Sequence, residues 1–453
     1  MRERGWQRTL PAALHGPYNL SPKPTVRPFH AASSHPTIDH TRTLALPGSL
    51  RFAMRLLLLA LPAMALLADK AVVPWLLIAA TLAAIPAVRK RRLPLRDVAT
   101  AVFLAVLLAY AGISAAWGPD PMDSLGLAVR IAGTVGIGMI LIGALMGLAA
   151  DQRAALLPWL QAGVALALGL LIEEQISDFA IWRLLHDPEP SRYHMISSFN
   201  RGVTLLALLV WPAALFALRR WGHLVAAACP LLVLALISGY ESAAAIAALG
   251  IGGGVAVLAW LSPIIAFAVL VAALGFAFLG APLVLWAAPA DVLAKLDISA
   301  LPATIDVRID IWRFVTARFL EKPLFGWGLD AARFMNGAGE WPGESPIRLH
   351  PHNNVLQLLM ELGFAAALPT VIWLGVLARR VSRAGRSERA CFAGFFATAL
   401  VIACTAYGLW QTQWLSSLLV AVAVLMLAAR PSSGSNAELE SASSVHRRPS
   451  GNR

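Results

Sequence analysis

The feature that most constrains this sequence is a succession of long apolar runs, which charged residues interrupt only briefly. We count about twelve runs that approach the roughly 20 residues a helix needs to cross a bilayer. They lie near 53–69, 71–88, 98–117, 125–149, 154–172, 201–218, 223–239, 242–260, 263–287, 354–378, 390–409 and 413–430. Inside a bilayer every backbone polar group needs a partner within the protein, so only helices and closed barrels cross it. These runs are too long and unbroken for the alternating strands of a barrel. The sequence therefore predicts an all-α, polytopic membrane protein.

Composition supports this class and argues against two others. Hydrophobic residues make up 58% of the 453 residues and charged residues 14%, which is too apolar for a soluble protein of this length. A formal net charge of +12 would suggest nucleic-acid binding in a soluble chain. Here the basic residues form short clusters between apolar runs, where they orient a membrane protein, so we expect no nucleic-acid partner. The three cysteines lie inside apolar stretches, which predicts neither a disulfide framework nor a cysteine metal site.

Polar tails flank the apolar region. Residues 1–50 are rich in Pro, His, Ser and Arg without hydrophobic periodicity, and residues 431–453 are polar again, so both are predicted to be disordered. The transmembrane domain then covers 51–430. Translation from Met1 and translation from Met54, which opens a segment resembling a signal anchor, both fit the pattern.

Two basic clusters predict the orientation in the membrane. Residues 89–96 and 379–389 each contain five Arg or Lys side chains, and such clusters are retained on the cytoplasmic side. Counting helices between them places both termini in the cytoplasm and puts 173–200 and 288–353 outside. We therefore expect 288–353 to form a large loop on the outer side of the membrane.

That loop contains the stretch DVRIDIWRFVTARFLEK, whose spacing is typical of an amphipathic helix at a membrane surface. The residues available for its apolar face are Ile309, Trp312, Val315, Ala317 and Phe319.

The densest polar cluster, His350-Pro351-His352-Asn353-Asn354, lies directly before a spanning run. Pro351 disfavours helical angles at His350, so the helix should begin there and hold His352 and Asn353 in its first turn. The positive end of a helix dipole disfavours imidazolium and leaves the neutral imidazole that a general base needs. A capping or interfacial histidine is the alternative. A zinc site formed by the two histidines would lack further ligands.

Three more polar side chains are candidates for the same side of the membrane. Glu361 lies two turns beyond Asn353, roughly 12 Å deeper along the helix, where a carboxyl group needs a polar partner or a wet cavity. It either locks two helices together or contacts a substrate. Arg201 and Arg308 carry guanidinium groups that suit phosphate oxygens. For each of them a snorkelling interfacial arginine is the alternative.

These motifs resemble those of the O-antigen ligase and O-antigen polymerase superfamily of membrane glycan transferases. The likeness is carried first by HPHNNVLQLLMELG, where family members have His-x-His-Asn before an apolar helix with Glu-x-Gly. RIDIWRFVTARFLEKPLFGWGLD and FNRGVTLLALLVWP are the second and third matching stretches. The resemblance implies a GT-C-like fold that transfers a glycan from undecaprenyl diphosphate to the lipid A core. It also implies a location in the bacterial inner membrane, with the loop at 288–353 in the periplasm. The reaction is then expected to occur on the periplasmic face and to need no metal or other cofactor.

The same resemblance implies roles for individual residues. His352 is the expected base for the acceptor hydroxyl, and His350 supports it. Arg308 and Arg201 are expected to hold the diphosphate, and Asn353 and Glu361 complete the predicted substrate site. Displacement with inversion at the anomeric carbon follows from the family.

Other activities stay open at this point. An O-antigen or exopolysaccharide polymerase and a protein O-oligosaccharyltransferase belong to the same superfamily. A multi-pass transporter is a different class, and the lack of a two-fold repeat of interrupted or charged helices argues against it.

Overall fold

The computed structural model describes residues 44–91, 94–186, 192–288, 304–335 and 350–429. These residues are almost entirely helical, and their only β-type pairing is an isolated bridge between Leu44 and Leu148. The predicted all-α architecture is confirmed. The helices are α1 (Gly48–Leu67), α2 (Val72–Arg89), α3 (Val98–Ser114), α4 (Pro121–Met146), α5 (Ala150–Ile176), α6 (Ala180–Leu185), α7 (Arg192–Trp221), α8 (His223–Ile237), α9 (Ala243–Leu261), α10 (Pro263–Gly275), α11 (Ala281–Ala287), α12 (Thr304–Glu321), α13 (Ala331–Phe334), α14 (Asn354–Ser382), α15 (Arg386–Thr405) and α16 (Thr412–Ala428).

Within the described residues, ten helices are long and apolar enough to cross a membrane. One of them is the continuous span Pro263–Ala287, in which a π-helical turn joins α10 to α11. The shorter apolar helices α8 and α16 pack alongside these spans. This arrangement confirms a polytopic membrane protein with about the predicted number of apolar helices.

Helix α7 forms the centre of the bundle. Its residues from Val203 to Leu215 are buried almost without exception, and it contacts α1, α8, α15 and α16. Small residues allow the close approach, as is common between helices in membranes. A Cβ atom on Gly202 would lie 2.2 Å from the carbonyl oxygen of Ala65 in α1, so a larger residue there would push the two helices apart.

The two ends of the bundle differ in chemistry. At one end, Arg380 of α14 pairs with Asp97 before α3 at 2.6 Å, and Arg219 of α7 pairs with Glu388 of α15. The predicted site residues lie at the other end. His352 precedes the first residue of α14, whereas Arg380 is close to that helix's last residue. The arginine clusters and the histidine pair are therefore separated by the length of a spanning helix.

The predicted amphipathic helix exists as α12, but its buried face differs from the predicted one. Val315 and Phe319 are buried as expected, together with Ile311 and Phe314, because α12 packs against α14 and α11. Trp312 is partly buried and packs against the same cluster, as predicted. The prediction was wrong for Ile309 and Ala317, which are partly exposed and lie outside that cluster. The face that packs against the neighbouring helices is formed by residues 311, 314, 315 and 319, at the spacing i, i+3, i+4 and i+8. It is rotated about the helix axis relative to the predicted face.

Helix α14 is interrupted at Gly363, whose φ of +64° is non-helical. The motif Pro-Leu-Phe-Gly-x-Gly at 323–328 satisfies the backbone groups that this break leaves free. The N–H groups of Phe364 and Ala365 donate to the carbonyl oxygens of Pro323 (2.8 Å) and Leu324 (3.0 Å). A Cβ on Gly363 would lie 2.4 Å from the Leu324 oxygen. The motif therefore clamps the helix that carries the candidate site.

Several predictions fall outside the described residues. These are most of the two predicted tails, at 1–43 and 430–453, and the parts of the predicted outer loop at 289–303 and 336–349. Within the first predicted tail, Leu44 and Leu46 are buried and α1 begins at Gly48.

Candidate functional site

The turn at 350–353 places two histidines directly before the start of α14. Asn353 is the N-cap residue, and its Oδ1 accepts hydrogen bonds from the N–H groups of Val355 and Leu356, each at 3.1 Å. His352 therefore precedes the helix, and the prediction that it lies in the first turn was wrong. Its φ is +53°, in the left-handed region that non-glycine residues rarely occupy. Contacts from other elements must hold this backbone in place.

The ring of His352 is oriented by a backbone carbonyl. Nδ1 lies 2.9 Å from the oxygen of Ala406, which follows the end of α15. A carbonyl only accepts, so Nδ1 carries the hydrogen and Nε2 keeps its lone pair. Nε2 has no partner among the described residues. Burial lowers the pKa of His352, and the charge of Arg308 lowers it further, while the bond to Ala406 opposes them. The result is a neutral imidazole whose Nε2 bonds to no other described residue, as a general base requires.

His350 supports this arrangement from the side. Its Nδ1 accepts a 3.3 Å hydrogen bond from the backbone N–H of His352, and the two ring centroids are 4.3 Å apart. Its Nε2 lies 2.8 Å from the side-chain amide of Gln411. Burial and then the neighbouring His352 lower the pKa of His350 to about 3, so this ring stays neutral.

Arg308 reaches the same turn from α12. Its Nη1 donates to the carbonyl oxygen of Thr405 at 2.6 Å, and one turn later Trp312 Nε1 donates to the oxygen of Pro351 at 2.9 Å. Burial lowers the pKa of Arg308, but a guanidinium remains charged at any physiological pH. No carboxylate among the described residues pairs with it. Its Nε and Nη2 are therefore available to an anionic ligand.

Arg201 occupies a different environment. Its Nε forms an ion pair with Asp69, and its Nη1 donates to Ser197 Oγ at 3.2 Å. Asp69 is buried and also accepts from Ser198 and Gln413. The charge of Arg201 is thus largely matched, and no hydrogen bond joins it to either histidine among the described residues.

Four of the six predicted site residues, His350, His352, Arg308 and Glu361, bond to the segment 405–413, which contains the connection between α15 and α16. His352 bonds to the backbone of Ala406. The next residue, Tyr407, lies close enough to Arg201 for the charge of the arginine to act on the tyrosine hydroxyl. Burial raises the pKa of Tyr407 to about 12, so this hydroxyl stays protonated. The structure therefore brings Arg201 to the same segment as the histidines, but not into contact with them.

Glu361 is completely buried and makes four hydrogen bonds. Its Oε1 accepts from Gln357 (3.0 Å) and the N–H of Ala332 (3.2 Å). Its Oε2 accepts from the N–H of Asp330 (3.0 Å) and from Trp410 Nε1. All four donors belong to this chain, and they use the full hydrogen-bonding capacity of the carboxylate. Glu361 therefore acts by holding neighbouring segments of the protein together, which we call its locking role. Asn353 is likewise occupied as a helix cap.

Sequence reasoning missed the 405–413 segment and Asp69. The stretch YGLWQTQW does break two apolar runs with amides and tryptophans, which is the only visible sign of it. A metal centre finds no support among the described residues, which contain no group of three or more His, Cys, Asp or Glu able to hold an ion.

Comparisons with known proteins agree with the motifs. A family model described as O-antigen ligase matches residues 227–371, which include Arg308 and both histidines but neither Arg201 nor the 405–413 segment. A protein of Rickettsia conorii named "Putative polysaccharide ligase" is 26% identical over 246 residues, which are 51% of this chain and 58% of that protein. Proteins with the same description from Rickettsia prowazekii (26% over 246 residues) and Rickettsia felis (27% over 239 residues) match 51% of this chain and 59% and 58% of their own lengths. The chain thus matches little more than half of each relative, and its residues 227–371 are similar to the O-antigen ligase family.

Proposed function

We propose that this membrane protein transfers a glycan from undecaprenyl diphosphate to the lipid A core. Similarity to the O-antigen ligase family and to proteins named polysaccharide ligases supports a ligase-type glycan transfer. The observation that carries the proposal is a neutral His352 whose Nε2 has no partner among the described residues, with the guanidinium of Arg308 close enough to influence it.

In the proposed reaction, His352 Nε2 takes the proton of an acceptor hydroxyl as that oxygen attacks the anomeric carbon. The bond from this carbon to the diphosphate oxygen breaks, and undecaprenyl diphosphate leaves with the bonding pair. The configuration at the anomeric carbon inverts. Arg308 compensates the charge that develops on the leaving group through its free Nε and Nη2 edge. Arg201, whose charge is matched by Asp69, has the lesser part in this step.

The orientation is part of the proposal. The arginine clusters lie at the opposite end of the bundle from the histidines, and basic ends stay in the cytoplasm. The site then opens to the periplasm from the inner membrane, where finished lipid-linked glycans and lipid A core are both displayed, and both termini lie in the cytoplasm.

Deleting the gene tests the class of reaction. Loss of long lipopolysaccharide with accumulation of lipid-linked polymer supports a ligase. Lipopolysaccharide that retains a single repeat unit indicates a polymerase, and loss of glycoprotein alone indicates a protein transferase; either outcome would overturn the proposal.

A purified system tests the chemistry. The protein in detergent, supplied with lipid-linked glycan and lipid A core in the presence of EDTA, should form the glycolipid, because no step needs a divalent ion. Transfer in detergent, without two compartments, also excludes a transporter as the explanation. A requirement for a divalent ion would contradict the mechanism.

A further inference from the structure

The 405–413 segment bonds to four of the six predicted site residues, yet it lies outside the part of the chain that the family model covers. Backbone carbonyls of Thr405 and Ala406 accept from Arg308 and His352. The N–H of Leu409 donates to Gln357, and Trp410 donates to Glu361. Two side-chain amides complete the set, since Gln411 meets His350 and Gln413 meets Asp69, the partner of Arg201.

Gln411 is the residue of this segment whose side chain contacts the histidine pair, at His350. The ring that it contacts also lies over Gly408, where a Cβ would be 2.7 Å from the ring carbon Cγ. The ring of His350 is therefore held between a close backbone contact and a single polar side chain.

The hydrogen bonds of His350 fix which nitrogen carries its hydrogen. Nδ1 accepts from the backbone N–H of His352, so a neutral ring has its hydrogen on Nε2. The structure places the amide nitrogen of Gln411 2.8 Å from His350 Nε2, so two donors would face each other there. The Nε2–H needs an acceptor, which the amide oxygen provides once the oxygen and nitrogen of the Gln411 amide exchange places. A donor at this position would instead move the hydrogen to Nδ1 and break the bond to His352.

We propose that Gln411 is a positioning residue of this active site, whose amide oxygen selects the form of His350 that holds the backbone of His352. The inference rests on the proposed function, in which His352 is the base. The left-handed backbone at His352 is the feature that needs holding, because its φ of +53° is unfavourable for a residue with a side chain. Gln411 thus acts on the base through His350 and touches no substrate.

Few groups among the described residues act electrostatically on this pair. His352 faces His350, and Arg308 of α12 faces His352; the 405–413 segment contributes amides, carbonyls and the protonated Tyr407. Within the part of the chain that the structure describes, a carboxylate at position 411 would be the first negative charge in contact with His350. It would favour a second proton on that ring, which lands on Nδ1 and breaks the bond to His352 as the pH falls.

Two substitutions at position 411, with side chains of similar length, test whether His350 needs a hydrogen-bond acceptor or a donor there. Gln411→Glu keeps an acceptor for Nε2–H, and Gln411→Lys supplies donors only. We expect Gln411→Glu to transfer at close to the wild-type rate at pH 8.5, with the acid limb of its pH profile displaced to higher pH by about one unit. We expect Gln411→Lys to lose roughly tenfold or more in kcat with little change in KM for the lipid-linked donor, as a misplaced base predicts. Gln175→Lys, at an exposed position near the end of α5, is the matched control and should behave as wild type.

A second measurement does not depend on activity. Nitrogen-15 NMR of histidine-labelled protein in lipid nanodiscs reports which ring nitrogen is protonated, with His350→Asn and His352→Asn used for assignment. The expected result is hydrogen on Nε2 of His350 and on Nδ1 of His352, and a change at His350 alone in Gln411→Lys.

The results distinguish this inference from the proposed function. Wild-type kcat in Gln411→Lys, an unshifted pH profile in Gln411→Glu, or hydrogen on Nδ1 of His350 in the wild-type protein would each overturn the role of Gln411. Undiminished transfer by His352→Ala would overturn the proposed function itself, while the NMR result would still decide the tautomer of His350.

Discussion

Replacing Glu361 by Gln should cost stability while leaving the chemistry intact. The carboxylate accepts four hydrogen bonds in a fully buried site, two at each oxygen. An amide keeps one oxygen and turns an NH2 group towards the other two donors. Leaving a buried donor unsatisfied costs about 1–3 kcal/mol, so the two lost bonds amount to roughly 2–6 kcal/mol. That is a large part of the 5–15 kcal/mol typical of a folded domain, given as an order of magnitude.

Fluorescence-detected size-exclusion chromatography after heating in detergent measures this loss. We expect the Glu361→Gln protein to melt several degrees or more below wild type and to keep most of its transfer rate per folded molecule. Glu241→Gln is the matched control, since Glu241 is an exposed carboxylate near the same end of the bundle, and it should melt as wild type does. A Glu361→Gln protein with wild-type thermal stability and no transfer would refute the locking role and return Glu361 to the substrate site.

Two further predictions concern the arginines. Arg308→Lys should reduce kcat/KM by tenfold or more, because one ammonium cannot hold the Thr405 carbonyl and present a planar edge to a diphosphate; steady-state kinetics with purified protein measures this. Arg201→Lys should be milder, since Asp69 still has a cation to pair with, and equal losses in the two variants would contradict the assignment. Arg308→Gln should also shift the acid limb of the kcat/KM profile to higher pH. The positive charge of Arg308 lowers the pKa of His352, so removing that charge raises the pKa and the base is lost at a higher pH; an unmoved limb would count against His352 as the base.

The helices were predictable because lipid forces long apolar runs into helices, and each predicted run has its helix among the described residues. Their ends were less predictable. Helix α7 begins at Arg192 rather than near 201, because Met195, Ser198 and Phe199 are buried against neighbouring helices. Tertiary packing there outweighs the polarity of the sequence, which had suggested a loop.

The candidate site was predictable only where side-chain type carries the chemistry. The histidines, Arg308 and Glu361 stand out as polar groups beside apolar runs. The partners that orient them do not, because the carbonyls of Thr405 and Ala406 look like any other backbone in a sequence. The pair of Arg201 and Asp69 joins positions 132 residues apart, and a single sequence gives no sign of such a pairing.

The same limit explains the face of α12. Helical spacing predicted that an apolar face exists, but the direction from which α14 approaches selects Ile311 and Phe314 over Ile309 and Ala317. Several apolar stripes are compatible with one amphipathic sequence, and the neighbouring helix decides among them.

The transfer rate of purified His352→Asn tests the central claim most directly. Asparagine tolerates a left-handed backbone, and its side-chain N–H can replace the bond from Nδ1 to the oxygen of Ala406, so the turn keeps its shape without a base. With folding verified by thermal unfolding, the account predicts a loss of roughly 10²–10⁴ in kcat, the usual contribution of a general base. A rate within a few-fold of wild type would contradict it.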